Sequence, residues 1–249
     1  MLLLAIDTST PTVTAGVVAL SLPNEIIAAP AAEPVRVLAE HRITDQFAHA
    51  EQLMPLVCLS LDEAGQSLSQ LAAIVVGLGP GPFTGLRVGI ATAQALGDAL
   101  DVAVHGVSSH DATARSYLAE SALGPAPAAG DFLVVTDARR REIYLSAYSG
   151  NGLLRFGPAP VAPADVPARL AEHGVRPGGM LGAGAPLLAD VPELHSVSTL
   201  PFAAGRSAGL VLAAARALLT GVVPGPLVPL YLRRPDATEP GARKSVLGR

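Results

Sequence analysis

The chain has 249 residues, 50% apolar and 15% charged, with a formal net charge of −4 and a pI near 5.8. That allows one large domain or two small ones with ample material for a core, and it excludes a strongly basic, stand-alone nucleic-acid binder. One cysteine, Cys58, excludes an internal disulfide and fits a reducing cytoplasm, and no apolar run approaches the roughly 20 residues of a membrane span.

Residues 2–6 form a continuous apolar run closed by Asp7, the pattern of a central strand buried on both faces. The run lacks a basic flank and is too short for a signal peptide. A turn at 8–11 leads to a β-branched second strand over 12–20. Residues 21–34 read as a Pro/Ala loop and 35–43 as a third strand. A helix then starts at Asp45 or Gln46 and runs to about 64, bent at Pro55, which removes one backbone bond. Cys58 within it reads as a small core hydrophobe. Residues 71–76 are a strand, 77–85 a turn, 86–100 a helix and 102–107 a short strand. The order β-β-β-α-β-α-β is that of an actin/hexokinase-like (ribonuclease-H-like, ASKHA) α/β half-domain.

Beyond it, 108–123 is helical and 124–130 a linker. Strands at 132–136 and 142–148 flank an Arg-rich turn, 150–167 is turn-rich, 165–173 a short helix and 180–184 a weak strand. A strong helix spans 207–220. The domain reading is 1–107, completed by a returning helix at 205–221, then a small second subdomain at 108–204. Residues 234–249 read as a disordered tail. The positive clusters, Arg139-Arg140-Arg141 and the tail arginines with Lys244, read as solvated charge, with a minor tRNA contact as the alternative.

The segment 77–87 reads Gly-Leu-Gly-Pro-Gly-Pro-Phe-Thr-Gly-Leu-Arg. Its glycines permit close backbone approach, Thr84 is placed to cap the next helix, and free amides there could hold an anion. It lacks the Gly-Lys-Ser/Thr ending of a Walker A loop, so a tight strand-to-helix corner is the competing reading. In the helix, Gly85, Gly89, Ala93 and Gly97 recur every four residues and make one ridge. Two mid-helix glycines each cost about 1 kcal/mol relative to Ala. Close packing repays that cost, either on the chain's own sheet or against a partner helix. The preceding helix carries Leu53, Met54, Leu56, Val57, Cys58, Leu59 and Leu61 around most of its circumference, which implies burial on two sides.

At these residues the sequence resembles the TsaB (YeaZ) family. The opening 3–10 resembles its first strand and turn, 49–56 (His-Ala-Glu-Gln-Leu-Met-Pro-Leu) its first-helix pattern, and 77–87 its glycine-rich signature, with Pro82 where Ser is usual. Residues 137–144 and Pro229-Leu230-Tyr231-Leu232-Arg233 match later landmarks. The resemblance spans 1–233 and implies an actin-like fold with a truncated second half. It implies a scaffold that binds TsaD, the transferase that joins threonylcarbamoyl to N6 of adenine 37 in tRNA, with the ATPase TsaE completing the complex. The implied contact is a helix bundle, with His49, Leu53, Met54, Leu56, Val57, Gly85, Gly89, Ala93 and Gly97 as the expected interface. That face could pair with itself, giving a homodimer, when the partner is absent.

Independent chemistry is poorly supported by the sequence. A helical metal pair needs histidines one turn apart. His105 and His110 are five apart, and His49 has Leu53 four residues on. The His-Glu-x-x-His and Gly-x-Ser-x-Gly patterns are absent. Neither a catalytic residue nor a metal is therefore expected. Asp7, Thr8, Ser9, Gly79, Gly81 and Thr84 mark a vestigial phosphate or nucleotide site. No cofactor is expected of the chain itself, with ATP or ADP bound only at a partner junction. The alternative is a small-molecule kinase of the actin-like fold, resting on Asp7 and element order, with Asp137 as its second acid.

Overall fold

The computed structural model describes residues 1–28, 33–45, 49–121, 130–200 and 205–233. The first half is a five-stranded sheet in the order β3-β2-β1-β4-β5. Strands β1 (Leu2–Asp7), β2 (Thr12–Leu20) and β3 (Val35–Thr44) form an antiparallel meander, with Leu4 opposite Val17 and Val13 opposite Ile43. Strands β4 (Ala73–Gly77) and β5 (Ala103–Val107) extend it in parallel from β1, with Ala5 opposite Val75 and Val75 opposite His105.

Side-chain alternation along the central strands makes two cores. Leu4, Ile6, Ile74 and Val76 face α2 (His49–Glu63) and α3 (Phe83–Leu100), where they pack with Leu53, Val57, Leu86 and Ala93. Leu3, Ala5 and Val75 face α6 (Ser207–Thr220) through Leu210, Val211 and Ala214. Each fully buried leucine removes enough apolar surface to contribute about 1.5–3 kcal/mol. The Ser60 hydroxyl in α2 donates to the Ala15 carbonyl at 3.0 Å, which ties that helix to β2.

The second sheet has the order β10-β9-β6-β7-β8, from β6 (Asp131–Asp137), β7 (Ile143–Tyr148), β8 (Leu154–Val161), β9 (Pro177–Leu181) and β10 (Ser198–Thr199). Helix α5 (Val166–Glu172) covers one face through Val166 and Leu170. The other face meets α4 (Ser109–Ser121), which stands between the lobes. Ala112 of α4 joins the core beneath α6, while Ala114 and Tyr117 join Phe132, Val134 and Tyr148 of the second sheet.

Several elements differ from the sequence expectation. Residues expected to loop contain a six-residue helix, α1 (Pro23–Ala28). Proline opens it, and the Glu25 carboxylate accepts the Leu22 amide at 2.6 Å, half of a capping box. The stretch read as turn-rich holds β8, whose Pro158 and Pro160 are tolerated because β8 is an edge strand. Helix α2 is described over His49–Glu63 and runs through Pro55 without interruption, while residues 46–48, where the expected start falls, lie outside the described residues. Helix α3 starts at Phe83 behind Pro82, so Thr84 lies inside the first turn and is not its cap. Cys58, expected in the core, is exposed. Most of the 124–130 linker and the 234–249 tail lie outside the described residues.

Candidate functional site

The turn after β1 and the glycine-rich corner after β4 are packed directly together. Asp7 is 7% exposed, and its Oδ1 accepts the Ser9 amide at 2.8 Å. Burial pushes the Asp7 carboxyl above the usual carboxylate range, against the lowering effect of its bonds to Ser9 and Ser109. The Thr8 hydroxyl donates to the Gly85 carbonyl at 2.7 Å. Gly81 lies flat on the Ser9 backbone, where a Cβ would stand 2.0 Å from the Ser9 carbonyl oxygen. The Gly79 amide donates to Ser109 Oγ at 3.2 Å, and the Ser109 amide returns a 2.8 Å bond to the Gly79 carbonyl. The space left beside Asp7 and Ser9 is about 10 Å³, room for one water. Five of the six residues expected at a vestigial phosphate site are thus brought together, but against one another. Thr84 points elsewhere, into a separate cavity between the lobes.

Next to this turn, the first residues of α4 hold the lobes together. Buried His110 bridges to the second sheet, with Nδ1 2.8 Å from Ser146 Oγ and Nε2 2.9 Å from Thr136 Oγ1. Burial drives its pKa down to about 3, so the ring is neutral. The Tyr148 hydroxyl donates to the Asp111 carboxylate at 2.6 Å. Sequence reasoning weighed His110 only as half of a metal pair, and nothing in its local pattern marks it as an inter-lobe bridge. Among the described residues, no three of His, Cys, Asp and Glu gather closely enough to hold a metal ion.

A second bridge was legible only as a motif. After α6 the chain crosses the molecule, and the Leu230 amide donates to the Leu78 carbonyl at 2.8 Å. The Tyr231 ring lies 4.5 Å from that of Phe83, and its hydroxyl accepts from Arg87 Nε at 2.8 Å. Arg233 then donates to the Ala138 carbonyl at 2.6 Å and pairs with Glu142 at 3.0 Å. These contacts fix the β6–β7 turn, where Arg139, Arg140 and Arg141 take φ of 65°, 53° and 63°. A left-handed run of L-residues costs roughly 1–2 kcal/mol each, which the surroundings must supply. Asp137, weighed as a second acid, supports the turn by accepting the Arg139 amide at 2.7 Å.

The expected partner face divides in two. Leu53, Leu56 and Val57 belong to the chain's own core. So does the small-residue ridge, because Gly85, Gly89, Ala93 and Gly97 are all buried. A Cβ on Gly89 would meet Thr8 Oγ1 at 2.3 Å, and one on Gly97 would meet Val104 Cγ2 at 2.3 Å. The glycines are there for packing against the turn after β1 and against β5, and the ridge is not an outer surface. Met54 alone of the described expected side chains reaches the surface, at 36% exposure; His49 opens α2, and its side chain lies outside the described residues. The exposed positions of α2 are instead Met54, Pro55, Cys58 and Leu59, the last 51% exposed, flanked by the acidic Glu51, Asp62 and Glu63. Beside it, α3 shows Thr84, Arg87, Ala91, Gln94, Ala95, Asp98 and Ala99.

Two mixed sheets, with helices on both faces of the first and a helix wedged between the lobes, define an α/β protein of the actin/hexokinase-like class. The family model described as TsaD: tRNA N6-adenosine threonylcarbamoyltransferase matches residues 37–167. An uncharacterized protein of Mycobacterium tuberculosis (strain ATCC 25618 / H37Rv) is 44% identical over 94% of this chain and 92% of its own. The tRNA threonylcarbamoyladenosine biosynthesis protein TsaB of Bacillus subtilis (strain 168) is 32% identical over 47% of this chain and 48% of its own. The structure of YeaZ from Pseudomonas aeruginosa superposes with a TM-score of 0.64 at 27% identity, over 89% of this chain and 95% of that one. The chain belongs to the TsaB (YeaZ) family, within the larger group described by the TsaD model.

Proposed function

We propose that this protein acts in tRNA threonylcarbamoyladenosine biosynthesis as a non-catalytic partner subunit. In this reading it binds and activates a TsaD-like transferase for N6-threonylcarbamoylation of adenine 37, and a TsaE-like ATPase completes the assembly in the cytoplasm. The observation that carries it is the outer face of α2 and α3. Met54, Pro55, Cys58 and Leu59 form an apolar stripe beside the small side chains Ala91, Ala95 and Ala99. A helix pair of that shape fits a second helix pair in a close-packed bundle. The sealed turn at Asp7 supports the same reading, because a kinase of this fold would need room for phosphates there.

The test is co-expression with the TsaD-like protein of the same cell. The two should co-purify, Leu59→Asp should release the partner, and depletion should remove threonylcarbamoyladenosine from tRNA, read by mass spectrometry. Unchanged nucleoside levels on depletion would sink the proposal. A homodimer that persists in the partner's presence would show that the face serves self-association instead.

A further inference from the structure

The outer row of α3 and the segment that crosses the molecule after α6 share one side chain. Arg87, Ala91, Ala95 and Ala99 recur every four residues along α3, and all four are exposed. Arg87 therefore heads the row whose alanines lie on the face proposed for the partner. Among the described residues its guanidinium meets no carboxylate. Its Nε donates to the Tyr231 hydroxyl at 2.8 Å, and its guanidinium carbon sits 5.6 Å from the centre of the Tyr231 ring. Both Nη groups are left without a partner among the described residues.

Tyr231 joins that row to the second lobe. Its ring stands 4.5 Å from that of Phe83, and the neighbouring Leu230 amide is fixed on the Leu78 carbonyl at 2.8 Å. Two residues on, Arg233 donates to the carbonyls of Ala138 and Arg139 at 2.6 and 3.1 Å and pairs with Glu142 at 3.0 Å. Two extended residues span at most about 7 Å, so the stretch from Tyr231 to Arg233 has little slack to absorb a displacement. Arg233 holds a turn that needs holding, because Arg139, Arg140 and Arg141 all sit at positive φ, a region L-residues avoid.

We propose that Arg87, Tyr231 and Arg233 form a relay by which a partner seated on α3 stiffens the β6–β7 turn of the second lobe. The inference rests on the partner-subunit reading above. Its physical basis is the ordering of one exposed side chain. Arg87 loses rotamer freedom when it bonds Tyr231, and that loss opposes the bond. A partner carboxylate on the two Nη groups, in the bidentate geometry that arginine favours, fixes the guanidinium first. The Tyr231 bond then forms at a smaller entropic cost, and the crossing segment and the turn gain order with it. Linkage makes the effect reciprocal: Tyr231 pre-orders Arg87 and tightens partner binding by the same factor.

Hydrogen exchange of the whole protein, free and saturated with the TsaD-like protein of the same cell, tests the relay. Binding should slow exchange in the 137–142 turn about fivefold or more. Tyr231→Phe keeps a ring against Phe83 and removes only the hydroxyl, so the variant should fold like the parent. The partner should bind this variant about fivefold more weakly, and at saturation the added protection of the turn should disappear. A parent complex whose turn exchanges as fast as in the free chain overturns the relay. So does equal protection in the parent and Tyr231→Phe complexes, which would show that the partner covers the turn directly. Failure to form any complex would instead overturn the partner-subunit reading, and the relay with it.

Discussion

Gly89 and Ala91 stand two residues apart on α3 and answer to different demands. Gly89 is pressed on Thr8, and any side chain there must displace the hydroxyl that bonds the Gly85 carbonyl. Gly89→Leu should therefore cost several kcal/mol or prevent folding, since overpacking alone costs about 1–3 kcal/mol and a buried bond breaks as well. Ala91 is exposed, and Ala91→Leu should leave the urea midpoint of the isolated chain almost unchanged. Should Gly89→Leu melt like the parent, the ridge would be free surface after all. Thr8→Val tests the bond alone. Its acceptor keeps one helical partner, so the expected loss is at the lower end, about 1 kcal/mol.

At the scale of elements, α2 and the last described segment make the sharper claims. On α2, Val57 is wholly buried and Leu59 is half exposed, though they are two positions apart. Leu59→Asp should stay within about 0.5 kcal/mol of the parent in urea melts, while Val57→Asp should not fold, because it buries an unpaired charge. Across the lobes, Tyr231→Ala removes both the Phe83 ring contact and the Arg87 bond. Hydrogen exchange should then quicken at the Leu230 amide and in the β6–β7 turn, and unchanged protection there would show that the crossing segment holds nothing. Much of this was legible in the sequence because the central strands are long apolar runs and the helices carry a clear period. The inward and outward assignment of α2 was not. Its apolar residues cover too much of the circumference for periodicity to say which stripe meets the sheet, so Cys58 was placed inside. The glycine ridge was ambiguous for the same reason: sequence shows that something must come close, and only the fold shows that it is Thr8 and Val104. The Arg139 turn could not be joined to Thr84 from sequence at all, since the cavity between them exists only once the lobes meet.

For the whole molecule, the junction at the head of α4 predicts an acid weakness. Ser109 faces the glycine corner and His110 faces the second sheet, so the lobes meet through adjacent residues. The His110 ring stays neutral down to about pH 3 in the folded chain, whereas in the unfolded chain it takes a proton near pH 6.5. Between those values the unfolded state binds one more proton than the folded one. Stability therefore falls as pH drops through that window, by up to about 1.4 kcal/mol per pH unit from this residue. Asp7 acts in the opposite sense: with its folded pKa raised, its contribution is lost as pH rises through that value. The two partly offset each other in acid, so the parent's pH profile alone does not isolate either. His110→Gln keeps a side chain that can bond Ser146 and Thr136 but cannot gain the proton. Unfolding free energies from urea melts at pH 7 and pH 5 should fall by about 2 kcal/mol more in the parent than in the variant. Equal losses in the two would mean that His110 is protonated in the folded chain, and that the lobes separate there before the rest of the molecule unfolds.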